Sequence, residues 1–126
     1  MEDNTLDLKG IFEFQREFAK RRDWEKFHTP KNLAMALAGE AGELVEIFQW
    51  LSEAASNEVM ADPEKARAIR HELADILNYT LRLADVLGVD IPKALWEKFE
   101  LNEARYPADR VRGSSKKYTE YQDSNK

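Results

Sequence analysis

"GEAGELVEIFQWL", residues 39–51, decides the fold. Leu44, Ile47, Phe48 and Leu51 recur three and four residues apart, the spacing of one helix face. Upstream, "HTPKN" (28–32) supplies a start, with Thr29 as a cap and Pro30 at the first helical position. A helix is therefore predicted from Pro30 to about Ala55, with an apolar stripe of Leu33, Leu37, Ala41, Leu44, Phe48 and Leu51. The same stretch places two acids against that stripe. Each residue advances roughly 100° around a helix, so Leu33 and Leu51 lie roughly 20° to one side of Glu40 and Ile47 roughly 20° to the other. Glu40 is inside the stripe, and Glu43 lies about 60° further round, on its shoulder.

Other segments carry the same period. Leu8, Ile11, Phe12, Phe14, Gln15, Phe18 and Ala19 predict a first helix from near Thr5 to Trp24–Phe27. "ADPEK" offers Asp62 as cap and Pro63 as first residue of a third helix, which carries Ile69, Leu73, Ile76, Leu77, Thr80, Leu83 and Leu87 and stops at Gly88. "VDIPKALW" opens a fourth, capped near Asp90 or Ile91, that ends at "RYP" before Pro107. No segment alternates with period two, so no sheet is expected. The expected fold is all-α: a four-helix bundle-like protomer with two long central helices. Val45, Ile47 and Trp50 widen the second helix's apolar surface beyond one stripe, which predicts oligomerisation through helix packing, as a homodimer or homotetramer. The expected division is residues 1–107 as the helical domain and 108–126 as a polar tail, basic in the middle, either disordered or a flap.

Composition removes several classes of function. A net charge of −5 argues against a nucleic-acid coat. With no cysteine there are no disulfides, thiolate metal sites or Cys nucleophiles. No apolar run approaches a membrane span, and the N-terminus lacks the charged-then-apolar order of a signal peptide, so no membrane partner and a cytoplasmic location are expected.

"HELADILNY" repeats the acid device on the third helix: Glu72 flanks Leu83 and Ile69, Asp75 lies further round, and Tyr79 falls between them. Both pairs are acid-x-x-acid, near the middle of long helices, and no Lys or Arg lies one turn from Glu40 or Glu43 on the same face. If the helices pack, four carboxylates converge and repel unless they share protons or a cation. Oxygen-only ligands suit Mg²⁺, with Mn²⁺ as a substitute. The pattern alone is equally compatible with solvated helix faces. A di-iron bundle needs two Glu-x-x-His pairs, and only Glu25 and His28 have that spacing.

"EFAKRRDWEKFHTPKNLAMALAGEAGELVEIFQW", "HELADILNYTLRLADVLGVDIPKAL", "KFELNEARYP" and "SSKKYTE", in that order, resemble the MazG-like all-α nucleoside triphosphate pyrophosphatases, in particular their dCTP pyrophosphatase branch. The family's E-E-x-x-E…E-x-x-D signature is met by Glu40, Glu43, Glu72 and Asp75, with Gly39 in place of the leading Glu. The resemblance implies hydrolysis of a dNTP to dNMP and pyrophosphate, a nucleotide-pool house-cleaning activity. It makes the four acids catalytic residues and Mg²⁺ ligands, the ion screening the triphosphate, polarising the α-phosphorus and activating a water. It also implies base or sugar contacts at Gln15, Trp24, His28, Trp50, Tyr79 and Asn102. Phosphate contacts are implied at Lys98, Arg105 and Tyr106, with Lys116 and Lys117 in a lid, and the resemblance leaves room for an active site shared between protomers. Gln15 stands where animal dCTPases commonly carry His; an amide both donates and accepts, so the preferred base stays open. The competing function is a non-catalytic helical module that binds nucleotide or a partner helix, which has no need of all four acids.

Overall fold

A computed structural model describes residues 5–114. Lys116 and Lys117 lie outside the described residues. Every regular element among those described is helical: α1 (Leu8–Arg21), α2 (Pro30–Phe48), α3 (Glu53–Asn57), α4 (Pro63–Leu87), α5 (Ile91–Arg105) and α6 (Ala108–Val111), with 3₁₀ turns at Glu25–Phe27 and Val59–Ala61. None of the helices is long and apolar enough to cross a membrane. The chain forms two compact units, Met1–Val89 and Asp90–Lys126.

Local chemistry explains where the helices begin and end. Thr29 Oγ1 accepts from the Asn32 N–H at 3.2 Å, and Pro30 follows at the first helical position. Asp62 Oδ1 accepts from the N–H groups of Glu64 and Lys65 at 3.0 and 3.3 Å. Asp90 caps α5 through the Lys93 N–H at 3.1 Å. Each cap satisfies donors that the helix itself leaves unpaired. Two left-handed residues end helices in the same way. At Gly88 (φ 70°) the Val89 N–H donates back to Ala84 O at 2.8 Å. At Asp23 (φ 54°) the Trp24 N–H donates back to Ala19 O at 2.9 Å. A short Asp side chain tolerates the left-handed region better than most. The second reversal turns Trp24 back onto Phe18, ring centroids 5.9 Å apart.

Four boundaries differ from the sequence reading, one of them the end of the first helix, expected at Trp24–Phe27 and found at Arg21. The first helix starts at Leu8, because Asp7, not Thr5, accepts from the Gly10 N–H at 2.9 Å. The second stops at Phe48 instead of reaching Ala55, because Ser52 Oγ takes the Ala55 N–H at 3.0 Å and starts α3. A side chain that caps a new helix competes with continuation of the old one. Beyond Pro107 the chain makes one more short turn of helix, α6.

In the first unit α2 lies along α4, and α1 also meets α4. The core is Ala19, Leu33, Val59, Ala66, Ile69, Leu81 and Ala84. The α2 residues Ala36, Leu37, Leu44, Ile47 and Phe48 are half-buried beside Leu33, whereas Ala41, expected in the stripe, is exposed. On α4, Ile76, Thr80 and Leu83 are half-buried, but Leu73, Leu77 and Leu87 are exposed, so three members of its expected stripe face outward. Leu73 and Leu77 lie roughly 20° either side of buried Ala66 and Ala84, and Leu87 lies in line with buried Ile69, so this face of α4 is covered in places along its length and left bare in others. Leu33 is the largest fully buried side chain, so Leu33→Ala should cost about 3 kcal/mol of unfolding free energy, read as a lower urea midpoint at unchanged slope.

Candidate active site

Glu40 sits on α2 among its half-buried apolar residues, with Glu43 one turn on and exposed. Glu72, half-buried, reaches the same place from α4. Carboxylate oxygens of Glu40, Glu43 and Glu72 all lie within 4.8 Å of one another. Asp75, also half-buried, falls outside that trio, although its charge acts on Glu40. One oxygen of Glu40 and one of Glu72, Oε2 in each case, are closed to solvent and have no hydrogen-bond partner.

Carboxylates with no donor between them repel, and the repulsion ends when they share a proton or a cation. Sharing a proton with Glu72 is the largest reason that the Glu40 pKa is raised to about 7. Burial raises it next, followed by hydrogen bonding to Glu43 and the charges of Glu43 and Asp75. The two orphaned oxygens fit a divalent cation with oxygen ligands. The donor set has neither sulfur nor nitrogen, which suits a hard ion such as Mg²⁺. A side chain added at Gly39 would meet nothing within 4 Å, so packing does not require glycine there.

Elsewhere in the first unit, Phe14, Gln15, Phe18, Trp24, His28, Asn78, Tyr79 and Arg82 line a cavity of about 280 Å³. Trp24 stands edge-on to both Phe18 and His28, at 5.9 and 6.5 Å between ring centroids. The wall is thus largely aromatic, with a few polar groups, as a slot for a flat ring requires. Those polar groups are held from behind. The Arg16 guanidinium donates to both Asp85 oxygens, at 2.8 and 2.6 Å, which is the main reason the Asp85 carboxyl titrates below the usual range. Arg82 donates to Asp85 at 3.4 Å and, through Nε, to His28 Nδ1 at 3.1 Å. Burial first, and the Arg82 charge second, lower the His28 pKa and favour a neutral ring.

The geometry thus gathers four of the six expected base or sugar residues, Gln15, Trp24, His28 and Tyr79, around one cavity. Trp50 does not line it; it is 87% exposed, just past the end of α2. Lys98, Asn102 and Arg105 share one face of α5 in the second unit, with Tyr106 at its C-cap. Phe14, Phe18, Asn78 and Arg82 also line the cavity, and the sequence reading gives them no site role. A signal for them is nonetheless present: Phe14 and Phe18 flank Gln15 on α1, and Arg82 follows Tyr79 by three residues on α4.

Residues 36–121 match the model of the MazG-like family. The chain belongs to the MazG-like family. It is 45% identical over 113 residues to dCTP pyrophosphatase 1 of Homo sapiens and 44% identical over the same length to that of Mus musculus. Each alignment covers 90% of this chain, which spans 66% of those relatives' length. A solved pyrophosphatase from Archaeoglobus fulgidus DSM 4304 is similar with a TM-score of 0.75 at 37% identity, over 85% of this chain and 98% of that one. The matched segment of this MazG-like chain begins within α2, ahead of Glu40, and therefore includes Glu40, Glu43, Glu72 and Asp75.

The acid cluster sets a pH dependence. A carboxyl raised from 4.5 to about 7 holds its proton in the folded protein where the unfolded chain has lost it. The stability this contributes is complete below about 4.5 and is lost as pH rises through about 7. Glu40→Gln keeps the shape and stays neutral. Without divalent metal, the melting temperature of Glu40→Gln minus that of wild type should therefore grow between pH 5 and pH 8, and added Mg²⁺ at pH 8 should raise wild type more than the variant. A difference independent of pH would show that Glu40 does not feel Glu72.

Proposed function

We propose that the chain is a Mg²⁺-dependent pyrophosphohydrolase that converts a deoxynucleoside triphosphate, dCTP or a related nucleotide, to the monophosphate and pyrophosphate. The observation that carries this reading is the meeting of Glu40, Glu43 and Glu72 between α2 and α4, with two buried oxygens left unpartnered. The names of the similar proteins, dCTP pyrophosphatase 1 and a pyrophosphatase, agree with it. Glu40, Glu43, Glu72 and Asp75 would hold the ion. Bound Mg²⁺ supplies charge neutralisation for the phosphates and polarisation of the α-phosphorus; Mn²⁺ is a substitute. An acid of the cluster that keeps a free oxygen accepts the proton of the attacking water. The aromatic cavity takes the base, and Tyr79 forms a wall against deoxyribose that disfavours a 2′-hydroxyl. Lys98, Arg105 and Tyr106 contact phosphate and Asn102 the base or sugar, with Lys116 and Lys117 closing over the charge.

The same reading treats 1–107 as the catalytic domain and 108–126 as its lid. It extends to a homodimer or homotetramer with a bundle completed by helix packing. Met35, Val45, Leu73 and Leu77 are 64, 56, 53 and 45% exposed on the two long helices, apolar area that a second copy would cover. Trp50 on that surface would reach a partner's site, which makes the active site a shared one. A non-catalytic binding module gives no account of the acid cluster and is not favoured.

The test is a panel of dNTPs and NTPs with Mg²⁺, scored for pyrophosphate against orthophosphate. Pyrophosphate is expected, with chelation abolishing turnover and Mg²⁺ or Mn²⁺ restoring it. Glu72→Gln should lower kcat by at least about a hundredfold while the helical circular dichroism is unchanged. Orthophosphate alone, in an assay free of inorganic pyrophosphatase, would mean that a different bond is cut. Light scattering coupled to gel filtration should return a mass of two or four chains.

A further inference from the structure

The aromatic cavity contains two polar groups whose hydrogen-bonding sense is fixed by residues to which neither the sequence pattern nor the family resemblance gave a role. Gln15 is 8% exposed. Its Nε2 donates to the backbone carbonyl of Asn78 at 2.9 Å and to Asn78 Oδ1 at 2.8 Å. A backbone carbonyl only accepts, so the amide cannot be turned the other way round, and both of its N–H groups are committed. What remains to Gln15 is Oε1, which is buried and unpartnered. A buried carbonyl without a donor is costly, and such a group calls for a reason.

His28 is fixed in the complementary sense. Arg82 Nε–H donates to His28 Nδ1, and a guanidinium cannot accept, so Nδ1 carries no proton. The neutral ring then carries its proton on Nε2. Arg82 is in turn held by Asp85, which Arg16 grips with two bonds. Arg82 and Asp85 side chains are 11 and 12% exposed, so the link from Asp85 to His28 runs largely away from solvent, while Arg16 at its outer end is 59% exposed.

The geometry points to a base-reading edge of one fixed acceptor, Gln15 Oε1, and one fixed donor, His28 Nε2–H, selecting a nucleobase with an exocyclic amino group beside a bare ring nitrogen. Cytosine and adenine present that pair. Uracil and thymine present a keto oxygen and a protonated ring nitrogen in its place, so the Gln15 oxygen would face another oxygen. Gln15 and His28 are the specificity residues; Asn78, Arg82 and Asp85 are positioning residues that act through them. A site built to hydrogen-bond a substrate group discriminates strongly, because the wrong ligand leaves its buried polar atoms unpaired. The inference rests on the pyrophosphohydrolase reading for its nucleotide substrate, but its test can be separated from turnover.

Binding of dCMP and dUMP, followed by tryptophan fluorescence in the absence of metal, reads the base alone, since Trp24 lines the cavity. Wild type should bind dCMP at least about tenfold more tightly than dUMP. Gln15→Met keeps the size of the side chain and removes the acceptor, and the ratio should fall towards one. Histidine ¹⁵N shifts at pH 7.5 report the tautomer directly, and the chain has only two histidines. His28 should show the Nε2–H form in wild type and a tautomer mixture in Arg82→Met. In triphosphate turnover, Arg82→Met should erode the preference for dCTP over dUTP mainly through KM. Equal binding of dCMP and dUMP by wild type, or an Nδ1–H tautomer, overturns the inference without need of a variant. Selective dCMP binding with no turnover of any triphosphate supports it and removes the catalytic reading instead; equal turnover of dCTP and dUTP removes the inference and leaves that reading intact.

Discussion

Two helices that pack through apolar side chains also carry acids on the packed side, and the molecule is organised around that conflict. Glu40 and Glu72 face each other from α2 and α4, each with an oxygen sealed from water and unmatched. Helix pairing brings them together, and their mutual repulsion opposes it, so the pair is at rest only with a shared proton or a cation. The raised pKa of Glu40, about 7, expresses the first of these solutions. The second would convert a local cost of folding into affinity for a divalent ion. This is the usual relation between a functional site and the stability of its scaffold: groups needed for chemistry are held where packing alone would not place them.

The aromatic cavity uses a different device. Here no polar group repels its neighbour; Gln15 and His28 are each bound to another residue of the cavity wall and left with one unused capacity. Asn78 takes both hydrogens of the Gln15 amide, and the Arg16–Asp85–Arg82 chain takes the His28 Nδ1 lone pair. Buried networks of this kind fix orientation because each member has a single way of being satisfied. Aromatic rings supply contact area, and the network behind them supplies direction.

Much of the fold is legible in the sequence. Thr29–Pro30, Asp62–Pro63 and Asp90 mark helix starts because capping is local chemistry, readable from two or three residues. Gly88 marks an end for the same reason. Where that reading fails, a competing local bond decides: Ser52 could have pointed to solvent inside a longer helix, but instead caps α3. The exposed Leu73, Leu77 and Leu87 show the limit of a single-stripe reading, since periodicity gives the face of a helix but not how much of its length is covered.

The sequence by itself determined the all-helical class, the two long helices and the placement of Glu40 inside an apolar stripe, because each follows from the fixed angular step of a helix. It also carried the order of motifs by which the MazG-like family is recognised. Only the tertiary structure decided that Glu43 and Glu72 meet Glu40 while Asp75 stays just outside their group, and that Gln15 reaches Asn78 across 63 positions of chain. Those outcomes depend on the relative register and rotation of packed helices, which no spacing within one helix contains.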